Sequence, residues 1–294
     1  MHCLNLKITY ECTNKCSFCF SSYLKETVIN MRDIIDALKS GFKNGCRELV
    51  ISGGEPTLFQ NKIKKNIDIS CKLGYEEFII QTNGSGLSGN CDLVKYLNEM
   101  GKKVHINISF SIHGHNSTIH DKMTSTPGSF KKLIDSIEKI SNTSCNIYTN
   151  TVISALNINH LKEISLLLNS YPIKVMQFSI MHLDHYNELF VKMSDAAQSI
   201  KKLDGIVDRK VLRTEGIPYC LLYGMEVCIG ESYWPNKLDL YNKKNDYMQN
   251  FDQLTSGMRW KSSLCSKCIM NELCAGMWKE HMNEFLSLGV KPIY

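Results

Sequence analysis

The strongest constraint on the fold is an alternation kept up over about 200 residues: short apolar runs rich in β-favouring residues, then segments whose apolar residues recur at helical spacing. Leu4–Tyr10 alternates apolar and polar residues and reads as a strand. Met31, Ile34, Ile35, Leu38 and Phe42 then mark one helix face, with Asn30 as its N-cap and Gly45 as its stop. Arg47–Ser52 is the second strand, and Ile63, Ile67 and Cys71 line the next helix, closed by Gly74. Glu77–Thr82 is the third strand, followed by a helix on Leu93, Val94, Leu97 and Met100 that ends at Gly101. Val104–Ser111 pairs with a helix on Phe130, Leu133, Ile134 and Ile137, and Cys145–Val152 with one on Leu161, Ile164 and Leu168. Val175–Met181 opens a sixth unit with a weaker helix around Val191–Leu203. Six βα units imply a parallel sheet with right-handed crossovers. The expected fold is therefore α/β, a partial (β/α)6 TIM-like barrel; periodicity alone also allows a flat, doubly wound sheet. From about Asp204 the pattern breaks at Pro218, Gly224, Gly230 and Pro235, and the stretch Tyr241–Asn250 is polar. Two domains are expected, the barrel over 1–205 and a small Cys-rich module over 206–294.

Composition matters here mainly through cysteine: there are 13 in 294 residues. No run approaches the about 18 apolar residues of a membrane span, and Met1-His2-Cys3-Leu4 lacks a signal-peptide layout. A cytoplasmic chain is expected, with no membrane partner and with cysteines serving metal or redox chemistry rather than disulfides. The net charge of +5 comes from 29 Lys and only 5 Arg against 29 acids. Arginine is the preferred residue for phosphate and base contacts, so the basicity reads as solvated faces and no nucleic-acid partner is expected.

Cys12, Cys16 and Cys19 stand as C-x3-C-x2-C directly after the first strand. Three thiolates so spaced can wrap one face of a cuboidal iron–sulfur cluster and leave its fourth iron open. A zinc loop is the alternative, but zinc normally wants four ligands, and no fourth Cys or His follows nearby. Further polar and glycine motifs end the later strands: Ser52-Gly53-Gly54-Glu55-Pro56, Gln81-Thr82-Asn83-Gly84, Ser109-Phe110-Ser111-Ile112-His113-Gly114 and Asn150-Thr151-Val152. All of them lie at C-terminal strand ends, the face on which barrel active sites are built. Gly53 and Gly54 let backbone approach a ligand, Glu55 can accept an ammonium, and Asn83, Ser111 and Asn150 suit ribose hydroxyls and a carboxylate.

On these residues the sequence resembles the radical S-adenosylmethionine (SAM) superfamily over about residues 4–182. Cys12 to Cys19 matches the family's C-x3-C-x-aromatic-C, including Phe18, and Gly53-Gly54-Glu55 looks like its GGE motif, which receives the amino group of SAM. His113 stands where the family usually has Asp. The resemblance implies a SAM-binding [4Fe-4S] cluster on Cys12, Cys16 and Cys19. It implies a SAM site built from Phe18, Gly53, Gly54, Glu55, Asn83, Ser111, His113 and Asn150. A flavodoxin- or ferredoxin-type electron donor is implied as a partner.

Cys265-x2-Cys268-x5-Cys274, with Cys220, could supply four more thiolates, and this spacing resembles the auxiliary-cluster modules called SPASM or Twitch. One auxiliary [4Fe-4S] cluster is the better count for five cysteines; a zinc ribbon is the alternative, and Cys228 could replace one of the four. Cys3, Cys46, Cys71, Cys91 and Cys145 read as buried small hydrophobes. His182 could line the pocket or be structural, and Met176, Met181 and Met193 read as core. The resemblance ranks a peptide or protein substrate first, to be crosslinked, epimerised or oxidised. A small-molecule dehydrogenase or rearrangement enzyme acting on a sugar, aminocyclitol or nucleotide is second. The first strand begins at Leu4, leaving no room for a fused peptide-recognition domain, so recognition falls to the barrel rim or a separate protein.

Overall fold

The computed structural model describes residues 2–19, 29–89, 91–181, 188–233, 237–241, 249–250, 257–287 and 293. Strand β1 (His2–Thr9) sets the pattern for the rest. Its even positions Leu4, Leu6 and Ile8 are fully buried and join one core with the surrounding helices, while Cys3, Asn5, Lys7 and Thr9 occupy the other face. β2 (Glu48–Gly53), β3 (Glu77–Thr82), β4 (His105–Ser111), β5 (Asn146–Ile153) and β6 (Ile173–Ile180) follow in parallel, each beside its sequence neighbour. Six strands and their crossovers thus stand as the periodicity expects.

The helices between them are amphipathic and capped as read. Asn30 caps α1 (Met31–Lys43), its Oδ1 accepting from Asp33 N at 2.9 Å. Gly74 ends α2 (Gln60–Leu73) in the left-handed region, φ +101. The barrel continues past residue 205, however. β7 (Leu212–Glu215) pairs with β6, and β8 (Lys237–Tyr241) pairs in parallel with β1. A two-residue strand, β9 (Gln249–Asn250), lies antiparallel to β8. The order β7-β6-β5-β4-β3-β2-β1-β8-β9 leaves two edges, so the sheet is a partial barrel rather than a closed one.

Beyond the barrel, β10 (Arg259–Trp260) and β11 (Met277–Trp278) form a small antiparallel pair. Glu284 ties this region to the barrel by accepting from the backbone N–H groups of Met193, at 2.8 Å, and Ser194, at 3.0 Å, where the helix Met193–Lys201 begins. Cys3, Cys46 and Cys145 are buried as expected, as are Met176, Met181 and Met193. Cys71 is only half-buried, and Cys91, the first residue of the helix Cys91–Gly101, is exposed because its position falls off that helix's core face. No helix among the described residues is long and apolar enough to cross a membrane.

Candidate active site

The first cysteine loop leaves β1 at its C-terminal end and is held there by the end of β2. Gly54 N donates to Thr9 O at 2.8 Å, and Glu55 N to Glu11 O at 2.7 Å. Gly53 has φ +137, and a Cβ there would run into Thr9 O; one on Gly54 would run into the Glu11 carbonyl. The close approach that requires these two glycines is therefore to the chain's own backbone, at the root of the cysteine loop. Cys12 and Cys16 are half-buried and Cys19 is exposed. Cys12 Sγ accepts from Asn14 N at 3.4 Å and from Asn83 Nδ2 at 3.5 Å. Asn83 thus reaches from the end of β3 onto the loop that carries the three thiols.

Glu55 sits beneath this arrangement and differs from expectation. It is fully buried, and Oε1 accepts from Thr57 N at 2.9 Å, from Thr82 Oγ1 at 2.7 Å and from Thr57 Oγ1, while Oε2 accepts from Asn83 N at 2.6 Å. Burial pushes its carboxyl up, and the hydroxyl and amide donors pull it back. The side chain read as an ammonium acceptor is thus occupied by its own chain. It locks β2, β3 and Asn83 in register beneath the cysteine loop.

His113 and Phe18 are brought together, ring centroids 5.0 Å apart and edge-to-face. His113 is buried, its Nδ1 accepts from Val152 N at 3.3 Å, and its backbone N donates to His120 Nδ1 at 3.1 Å. Burial, then the neighbouring His120 ring, holds His113 down to about 3; burial lowers His120 to about 4. The ring is neutral near pH 7 and packs the aromatic of the cysteine loop against β5. Ser111 and Asn150 are register partners on β4 and β5.

The inward strand faces enclose a cavity of about 570 Å³, lined by Asn5, Gln81, Ser109, Asn150, Gln177 and three carboxylates. Glu48 and Glu77 are register partners on β2 and β3, and Glu215 lies at the end of β7. Burial, then Glu77, pushes the Glu48 carboxyl up; burial, then Glu231, does so for Glu215. Ser179 Oγ lies 2.7 Å from Asn150 Oδ1 and 2.9 Å from Glu215 Oε2. Above them, on the same face of β1, Lys7 makes no hydrogen bond or ion pair to a described residue; burial lowers its ammonium and the neighbouring Cys19 raises it. The Arg213 guanidinium is engaged, by the Leu212 carbonyl at 2.7 Å and the Tyr233 ring at 3.9 Å. Lys7 and the three carboxylates were not singled out in the sequence. Their signal was present all the same: parallel barrel strands normally read as apolar runs, and here many inward positions are polar, among them Asn5, Lys7, Glu48, Glu77, Gln81, Ser109 and Gln177, between apolar ones such as Val50, Ile79 and Val175. His182 lies outside the described residues.

A second cysteine site stands apart. Cys220, Cys265, Cys268 and Cys274, all half-buried, line one pocket with Trp260 and Met277. Burial, then the neighbouring Cys274, Cys265 and Cys268, pushes the Cys220 thiol up to about 12. Gly276 N donates to Cys274 Sγ at 3.4 Å. Cys228 is absent from this group; it is fully buried and its Sγ faces Arg209 O at 3.9 Å. The donor sets suit soft metals at both sites: three thiols on one loop, and four in one pocket.

A profile of the Radical SAM superfamily matches residues 6–168. The chain belongs to that superfamily. Membership implies SAM and a [4Fe-4S] cluster, for which the loop Cys12–Cys19 carries the family's three thiols. An S-adenosylmethionine-dependent nucleotide dehydratase from Fibrobacter sp. (strain UWH6) is 31% identical over 169 residues, covering 54% of this chain and 49% of that protein. The sporulation killing factor maturation protein SkfB of Bacillus subtilis (strain 168) is 23% identical over 163 residues, 54% of this chain and 37% of that protein. The chain thus spans half or less of these curated relatives. Among solved structures, Streptococcus suis SuiB bound to precursor peptide SuiA aligns with TM-score 0.69 at 17% identity, covering 96% of this chain and 72% of that one. The likeness in fold therefore runs through the C-terminal region.

Proposed function

We propose that this radical SAM enzyme acts on a peptide or protein, and that Cys220, Cys265, Cys268 and Cys274 bind an auxiliary [4Fe-4S] cluster that takes an electron from the substrate. The superfamily's cluster and SAM, when bound, supply a 5′-deoxyadenosyl radical able to remove hydrogen from an unactivated carbon. This chain's part is placement. Cys12, Cys16 and Cys19 hold the cluster, Phe18 and His113 brace their loop, and the ends of β2–β5, with Gly53, Gly54, Asn83, Ser111 and Asn150, frame the SAM site. Glu55 holds that frame from beneath. Four cysteine ligands would leave no open position for substrate on the second cluster, which favours electron transfer as its role.

The observation that carries the peptide reading is the charge of the chamber. Three carboxylates line it against one guanidinium, that of Arg213, which makes no ion pair to a described residue. That lining suits amide and amine donors and opposes a polyanion such as a nucleoside triphosphate. The nucleotide dehydratase relative supports a second reading, a small-molecule enzyme; within it an aminocyclitol suits this lining better than a nucleotide. The test is 5′-deoxyadenosine formation by the anaerobically reconstituted enzyme with SAM and dithionite, against panels of peptides and nucleoside triphosphates. Stimulation by a peptide carrying amine or amide side chains is expected. Stimulation by a triphosphate alone would overturn the peptide reading.

A further inference from the structure

At the opposite end of β1 from the cysteine loop, three side chains from three segments meet: His2 at the start of β1, Cys46 in the turn before β2, and Asp239 on β8. Their ligand atoms, a ring nitrogen, Sγ and a carboxylate oxygen, all lie within 4.8 Å of one another. His2 Nδ1 is 2.8 Å from Asn44 O. A carbonyl can only accept, so Nδ1 carries the proton, and in the neutral ring Nε2 presents its lone pair. That nitrogen is shut off from solvent, has no hydrogen-bond partner, and stands 3.2 Å from Asp239 Oδ2. The ring nitrogen and the carboxylate oxygen thus meet in a buried place, where a proton or a metal cation must stand between them.

Cys46 is fully buried beside them. Glu48 adds negative charge nearby. Arg47 beside Cys46 donates to Cys46 O at 2.8 Å and Phe42 O at 3.3 Å and lies over the Phe42 ring. The orienting bonds are those of a metal site. The far nitrogen of the imidazole is fixed by a backbone carbonyl, and the carboxylate oxygen accepts from Asn44 Nδ2 at 3.3 Å. We propose that His2 Nε2, Cys46 Sγ and Asp239 Oδ2 bind a divalent cation of the zinc type. The cation takes one nitrogen, one thiolate and one carboxylate, with water in the fourth position, and releases the Cys46 proton to solvent. Because β8 pairs directly with β1, the metal pins the strand contributed by the C-terminal region onto the first strand of the barrel. It lies at the N-terminal ends of the strands, where barrels build stability rather than catalysis.

The test is zinc and iron per chain in the iron–sulfur holoenzyme purified with zinc present, for wild type, Cys46→Ser, His2→Gln and Cys265→Ala/Cys268→Ala. The expected result is about one zinc per chain in wild type. It should be lost in Cys46→Ser and in His2→Gln with iron unchanged, and kept in the Cys265→Ala/Cys268→Ala variant. Cobalt in place of zinc should show a thiolate charge-transfer band that Cys46→Ser abolishes. Should Cys46→Ser fail to fold, His2→Gln carries the test alone, since it removes one ligand at the start of the strand. Wild type without zinc would overturn the site, leaving an imidazolium–carboxylate pair. Zinc that persists in Cys46→Ser but leaves with Cys265 and Cys268 would overturn it as well.

Discussion

The two cysteine groups are built in opposite ways. The first packs three thiols into eight residues on a loop whose root is clamped by β2 and whose Cys12 is touched by the end of β3. The second gathers four thiols from positions 220 to 274, a stretch whose described residues are short helical turns and the short strands β8, β9 and β10. The first leaves Cys19 exposed; the second half-buries all four of its members. A three-thiol loop on a rigid barrel rim suits a cluster that must keep one iron open. A four-thiol pocket in an irregular region suits a closed cluster that helps to order the chain around it.

This contrast can be broken in several places. The largest expected effect is functional: Cys265→Ala/Cys268→Ala should abolish product formation yet spare substrate-free 5′-deoxyadenosine formation, followed by chromatography. Loss of both would show that the second site is needed structurally by the first. Next, Glu55→Ala strands four donors, two hydroxyls and two backbone amides, on Thr57, Thr82 and Asn83. It should cost about 3 kcal/mol or more of stability and weaken SAM binding through the displaced Asn83, measured by urea unfolding and by SAM titration. A variant with wild-type stability would remove Glu55 from the clamp.

The pH dependence is smaller. His113 and His120 are held neutral well below the ordinary value of 6.5, so the unfolded chain binds more protons in acid. Their contribution is complete above about pH 6.5 and is lost as pH falls from there toward about 3 to 4. Going from pH 7 to pH 5 should cost on the order of 2 kcal/mol per ring, and His120→Gln should flatten the slope. An unchanged slope would place the acid sensitivity elsewhere. Smallest is Arg259→Ala beside the second site. Arg259 lies over the Trp278 ring and pairs with Glu231 at 3.3 Å, both partners nearly buried. Its loss should lower the thermal midpoint and the iron bound by the four-thiol pocket while leaving 5′-deoxyadenosine formation intact. An equal loss at both sites would contradict their independence.

Much of the barrel was legible because its first six strands are long enough to show a period and its helices carry ordinary caps such as Asn30 and Gly74. β7 and β8 were not, being only four and five residues long. The motif residues were legible as a group, but the inward turn of Glu55 was not. The same letter serves a ligand-facing carboxylate and a buried clamp, and only Thr57 and Thr82, placed by the fold, decide between them. Likewise the spacing could not choose between Cys220 and Cys228, whereas burial against Arg209 sets Cys228 aside.

The most direct measurement is iron and sulfide per chain after anaerobic reconstitution of wild type, the Cys12/Cys16/Cys19→Ala variant and the Cys220/Cys265/Cys268/Cys274→Ala variant. About eight irons in wild type, falling to about four in each variant, is the predicted result. About four in wild type, falling to none in the first variant and unchanged in the second, would contradict the claim that this chain carries two separate clusters.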